Sequence, residues 1–125
     1  VESLVLAVGA RPVRLDADVH DAAVASISHL PLVLSAALVE TVVARAPGWD
    51  IAESIAAGGW ASMSRLARGD VDMGAGILAT NGDEVASRLR VLRDAIDDWL
   101  AALDRGDPDV LRERLMAARA LLERE

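Results

Sequence analysis

Cysteine, lysine, phenylalanine and tyrosine are all missing from the 125 residues. Without cysteine there is no disulfide scaffold, no thiolate zinc site and no cysteine nucleophile. A cytoplasmic location is the expectation that fits this. Without lysine, all thirteen basic residues are arginine, set against twenty acidic ones, for a net charge of −7. A nucleic-acid binder needs a basic stripe to displace counterions from phosphates. None is visible, so that class is set aside.

Other signatures are missing too. No HExxH occurs, and two histidines nine positions apart, His20 and His29, do not make a metal site. No P-loop or GxGxxG is present, and no Ser-His-Asp order stands out. No basic segment precedes an apolar run, so no signal peptide is expected. The opening on Val1 rather than Met is read as a chain that continues upstream.

What remains is aliphatic. Hydrophobic residues make up 53% of the chain, and only Trp49, Trp60 and Trp99 among them are aromatic. Such a composition builds its core by close contact between helices. The many alanines favour helix, because Ala loses no side-chain entropy there.

Along the chain, Glu2 to Val8 looks like a last helical turn that Gly9 caps, and Arg11 to Leu15 like a short extended segment. Helix, glycine, strand is how an α/β unit ends. Asp16 and Asp18 are N-cap candidates for a long helix from about Asp18 to Arg45. From Ala22 to Val39 its only polar side chains are Ser26, Ser28, His29 and Ser35. A helix apolar nearly all round must be covered on more than one side. Pro31 lies within it, so a kink or break is expected there. The stretch approaches the roughly 20 residues that span a bilayer. His29 and Pro31 near its centre, and the lack of a flanking basic cluster, argue against a membrane and for a helix shared between two subunits.

Pro47-Gly48 ends that helix. Short helices are expected at Ile51 to Ala57, Ser62 to Arg68 and Val71 to Ala79, with Gly58-Gly59 breaking the chain and Gly69-Asp70 forming a turn. Asn81-Gly82-Asp83 is expected to cap a long helix from about Asp83 to Asp104. Its Val85, Leu89, Leu92, Ile96, Trp99 and Leu103 recur at steps of four and three, the stripe that a partner helix needs. Asp107-Pro108 then starts a last helix running to about Leu122. The fold class predicted is therefore all-α: two or three long helices with short connecting ones. Two long apolar helices in so small a chain predict a homodimer through them.

Three constellations bear chemistry. His20-Asp21 reads as a capping pair in the first helical turn. His29 is a titratable group within an apolar helix, beside a proline; it is either a hydrogen-bonded core histidine or one that faces a ligand cleft. Arg65 follows a glycine pair that lets backbone approach another group closely. It is either a surface arginine or a bidentate holder of a carboxylate.

The string from His20-Asp21 through Ser28-His29-Leu30-Pro31 resembles the HDxxxAxxSHLPH signature of prephenate and arogenate dehydrogenases. Gly58-Gly59-Trp60, then Ser64-Arg65-Leu66-Ala67, Gly69-Asp70 and Met73 to Leu78 resemble that family's later GGF…TRIA…DP.MW.DIL segment. Asn81 and the helix after it also fit. The resemblance covers nearly the whole chain. It implies that residues 1–15 end a dinucleotide-binding Rossmann domain, and that 16–125 form the helical dimerisation and substrate-cleft domain. It implies oxidative decarboxylation of prephenate or arogenate, in tyrosine biosynthesis, by the full-length protein with NAD or NADP. No cofactor is expected for this chain alone, and no catalytic residue is assigned within it. Ser28, His29 and Arg65 are implied as substrate-binding, with His29 also facing the nicotinamide. Two positions depart from the signature: Leu32 stands where the family has His, and Gly74 where Trp is common. These departures leave room for a divergent member, one preferring arogenate, a homologue that has lost the activity, or a non-catalytic dimerisation module; a domain that senses an aromatic amino acid in the same cleft is a further alternative.

Overall fold

The computed structural model of the chain describes residues 1–123, and the last two residues of the expected helical domain lie outside them. Among the described residues the chain is all-α, with no strand. Seven helical segments follow one another: α1 (Glu2–Ala7), α2 (Ala17–Arg45), α3 (Trp49–Ser54), α4 (Gly58–Ser64), α5 (Val71–Thr80), α6 (Gly82–Arg105) and α7 (Pro108–Leu122). Two compact units divide the chain, residues 1–88 and residues 89 onward.

In the first unit, α1 closes as its sequence predicts. Gly9 takes a left-handed φ of 76°. Its N–H donates to Leu6 O at 3.0 Å, and Ala10 N–H donates to Val5 O at 3.0 Å. This double bond pattern satisfies carbonyls that the helix end leaves open. The segment Arg11–Leu15, expected as a strand, carries no regular structure. A strand is defined by its partner, and among the described residues no other extended segment pairs with it. Arg14 instead folds back on α1 through a 2.6 Å ion pair with Glu2.

Helix α2 starts after Asp16, whose backbone is extended, and Asp18 sits in the first turn. Pro31 neither breaks nor ends it. The five residues Ala25–His29 form a π turn, and α-helical winding resumes at Leu30. Proline lacks the N–H that the regular ladder needs and crowds the carbonyl four residues back. A wider turn just ahead of Pro31 absorbs both faults without leaving helical structure. A second π turn, Glu40–Arg45, finishes the helix, and Ala46 before Pro47 is extended, as pre-proline sterics demand.

Gly58-Gly59 does not break the chain but opens α4. At the first helical positions the N–H groups are free, so a flexible pair costs little there. Nor do these glycines admit a close approach, since a Cβ at either would meet nothing within 4 Å. A tight 3-10 turn, Arg65–Arg68, follows α4 directly. The rings of Trp49 and Trp60, 5.1 Å apart and tilted, tie α3 to α4. Asp70 caps α5 by accepting Met73 N–H at 2.8 Å.

Helix α2 packs on α4 and on the 3-10 turn after it. Ser35 is buried, and its Oγ accepts Ala67 N–H at 3.0 Å, so a hydroxyl on the long helix holds the turn in place. Within the single chain, however, α2 is poorly covered: Ala25 and Ser35 are its buried residues, and Ile27 is 77% exposed. By length and composition this helix could cross a membrane.

In the second unit, Asp107 caps α7 by accepting Asp109 N–H at 2.9 Å. The Arg114 guanidinium lies 4.8 Å from the centre of the Trp99 ring, a cation–π contact between α7 and the end of α6. Ala102 is fully buried, while Ile96 and Leu103 of the predicted stripe stay more than half exposed.

Candidate functional site

The site lies in the first unit, where α2, the 3-10 turn and α5 meet around a cavity of ≈ 190 Å³. Ser28, His29, Leu32, Arg65, Asp70 and Gly74 all line it. The structure thus brings together the three residues singled out in the sequence, Ser28, His29 and Arg65, from positions up to 37 apart. The π turn delivers the first two, and the turn that Ser35 anchors delivers the third.

Arg65 makes no hydrogen bond or ion pair among the described residues, whereas Arg14, Arg88 and Arg119 each hold a carboxylate within 3.1 Å. An unpaired guanidinium at the edge of a cavity is suited to grip an anion from outside the chain. The Asp70 carboxylate also borders the cavity, but its Oδ1 is engaged in capping α5. Ser28 is exposed and keeps its hydroxyl available.

His29 is half-buried and is not alone. Its Nδ1 lies 3.2 Å from Nδ2 of Asn81, which also donates to Asp21 O at 2.8 Å. Asn81 was expected to cap α6. Its carbonyl does accept the first bond of that helix, from Val85 N–H at 3.1 Å, but its side chain reaches back to α2. Sequence reading assigned it no place at the site, and no local signal marks a contact 52 residues away. Nearby, Arg88 Nε donates to Ser26 Oγ at 3.0 Å. His20 stands apart from the cavity, paired with Asp21 at 3.0 Å on the surface.

One wall is apolar. Leu32 and Gly74 border both this cavity and a neighbouring one of ≈ 320 Å³. A Cβ built on Gly74 would lie 3.7 Å from Leu32 Cδ2. The two departures from the sequence signature therefore meet in space. Among the described residues no three His, Asp or Glu side chains gather as a metal site would require.

The family model for the prephenate dehydrogenase dimerization domain matches residues 16–117. The chain belongs to that family. Its fold is also that of a solved relative, the arogenate dehydrogenase of Synechocystis, with a TM-score of 0.86 at 24% identity. The match covers 98% of this chain and 45% of that one, so the chain spans less than half the length of the enzyme it resembles. In the prephenate dehydrogenase family, then, this chain is a dimerisation domain whose first unit carries a small, partly polar cavity.

Proposed function

We propose that the chain is the dimerisation and substrate-cleft part of an NAD(P)-dependent prephenate or arogenate dehydrogenase. On this reading residues 1–15 end the nucleotide-binding domain and residue 16 begins the helical one. The observation that carries the reading is the convergence of Ser28, His29 and an unpaired Arg65 on one cavity.

The chemistry of the substrate suits that set. Prephenate is a dianion and arogenate also carries carboxylate, which a guanidinium can grip with two parallel hydrogen bonds. Ser28 and His29 add polar groups to the same lining. The nucleotide supplies the hydride acceptor of the oxidation. On this reading the nucleotide is held mainly by the upstream domain. His29 is the residue of this chain assigned to the nicotinamide side of the cleft. The chain alone is expected to be inactive.

A homodimer is part of the same proposal. The long, apolar and thinly covered α2 needs a partner, and a second copy is the usual cover for such a surface. Membership of a dimerisation-domain family supports this over a bilayer.

The test is Arg65→Ala in the full-length protein. It is expected to lower kcat/KM for prephenate or arogenate at least tenfold, about 1.4 kcal/mol of transition-state stabilisation. Unchanged kinetics would remove Arg65 from the site. Leu32 and Gly74, which stand where the family signature has His and Trp, favour a second reading, a homologue that keeps the scaffold without the activity. A complete glycine-rich βαβ unit upstream, with turnover of either substrate, excludes it.

A further inference from the structure

We infer that Asn81 is a positioning residue that fixes the tautomer of His29, so that His29 presents an N–H donor from Nε2 to whatever occupies the cavity. The inference deepens the substrate-cleft reading, since it names the hydrogen-bonding role of a residue placed there.

One backbone carbonyl fixes the orientation of the Asn81 amide. Asp21 O can only accept hydrogen bonds, and the side-chain atom of Asn81 at 2.8 Å from it must therefore be the amide nitrogen. Turning the amide over would set oxygen against oxygen at that distance. The same nitrogen, with its second hydrogen, lies 3.2 Å from His29 Nδ1. An amide NH₂ has no lone pair to offer, so Nδ1 must be the acceptor. In a neutral imidazole one nitrogen accepts and the other carries the proton. The proton of His29 is thereby assigned to Nε2. That nitrogen makes no hydrogen bond among the described residues, and His29 lines the cavity.

The π turn makes this geometry available. It carries His29 at the last position of the widened turn, and Asp21 lies eight residues, about two turns, back on the same helix. Asn81, at the junction of α5 and α6, spans both. A ligand that uses His29 must accordingly offer an acceptor oxygen, from a carboxylate, carbonyl or hydroxyl, and not a donor. Beside the Arg65 guanidinium, this describes an oxygen-rich organic acid.

The experiment is nitrogen NMR of the protein labelled with ¹⁵N in its histidine rings, with no ligand present, at a pH well above the free imidazole value of about 6.5. His29→Gln identifies the resonances of His29 by their loss. The wild-type protein is expected to show a pyridine-type Nδ1 and a pyrrole-type Nε2. Asn81→Asp, which replaces the donor by an acceptor, is expected to move the proton to Nδ1, and Asn81→Ala to give a mixture. A wild-type spectrum with the proton on Nδ1 overturns the inference, as does an unchanged tautomer in a folded Asn81→Asp protein. Where Asn81→Asp fails to fold, Asn81→Ala carries the test, and an unmixed Nε2 tautomer there overturns the inference. Because no substrate is present, failure here leaves the Arg65 assignment standing, and failure of the Arg65 test leaves the tautomer standing.

Discussion

Leu32 on α2 and Gly74 on α5 face each other across one wall of the cavity, close enough that a methyl group on Gly74 would rest 3.7 Å from Leu32 Cδ2. That separation is ordinary van der Waals contact. The two positions that depart from the family's signature thus lie beside each other, with room for a methyl group between them.

Gly74→Ala is therefore expected to stabilise the protein. Gly74 is interior to α5. Glycine in a helix interior costs roughly 0.5–1 kcal/mol relative to alanine, through the backbone entropy it loses. The added methyl also gains the Leu32 contact. Urea unfolding with an unchanged m-value should show a gain of that size. A loss of stability would mean that the space beside Gly74 is already occupied in solution.

Ser35→Ala should act in the opposite direction. It removes the acceptor of Ala67 N–H and leaves a part-buried donor without a partner. The expected cost is about 1–2 kcal/mol. Because Ala67 lies in the turn that carries Arg65, the proposed substrate-cleft role predicts weaker substrate affinity of the full-length protein as well. Unaltered stability would show that water replaces the hydroxyl at no cost.

The chain is expected to sediment at twice its 13.2 kDa. Ile27→Asp places a carboxylate on the exposed apolar surface of α2, where Ile27 is 77% open in the single chain. Burying that charge against a second copy would cost several kcal/mol without a partner cation. Light scattering should show the variant shifted to the monomer. A wild-type chain that sediments as a monomer would end the argument for a shared helix.

Helix limits were largely legible in the sequence. Gly9, Pro47, Asp70 and Asp107 act on the backbone within a few residues of themselves, so their effects can be read locally, whereas Asp16, an N-cap candidate, makes no side-chain cap bond. The family signature likewise named Ser28, His29 and Arg65, because it records residue types at set spacings. Local rules foresaw a disturbance at Pro31 but not its form, and they misjudged Gly58-Gly59. All three residues do weaken a helix, but a π turn and a helix start gave the chain cheaper answers than a break.

By itself, then, the order of residues determined an all-α chain with a thinly polar central helix and a short list of groups able to bind an acid. Tertiary structure decided which of those groups meet. It set Leu32 against Gly74, Ser35 under Ala67, and Asn81 between Asp21 and His29. Each of those contacts joins residues more than 30 positions apart. Spacing along a helix fixes only which face a side chain shares with its near neighbours, whereas such a contact depends on how two helices cross.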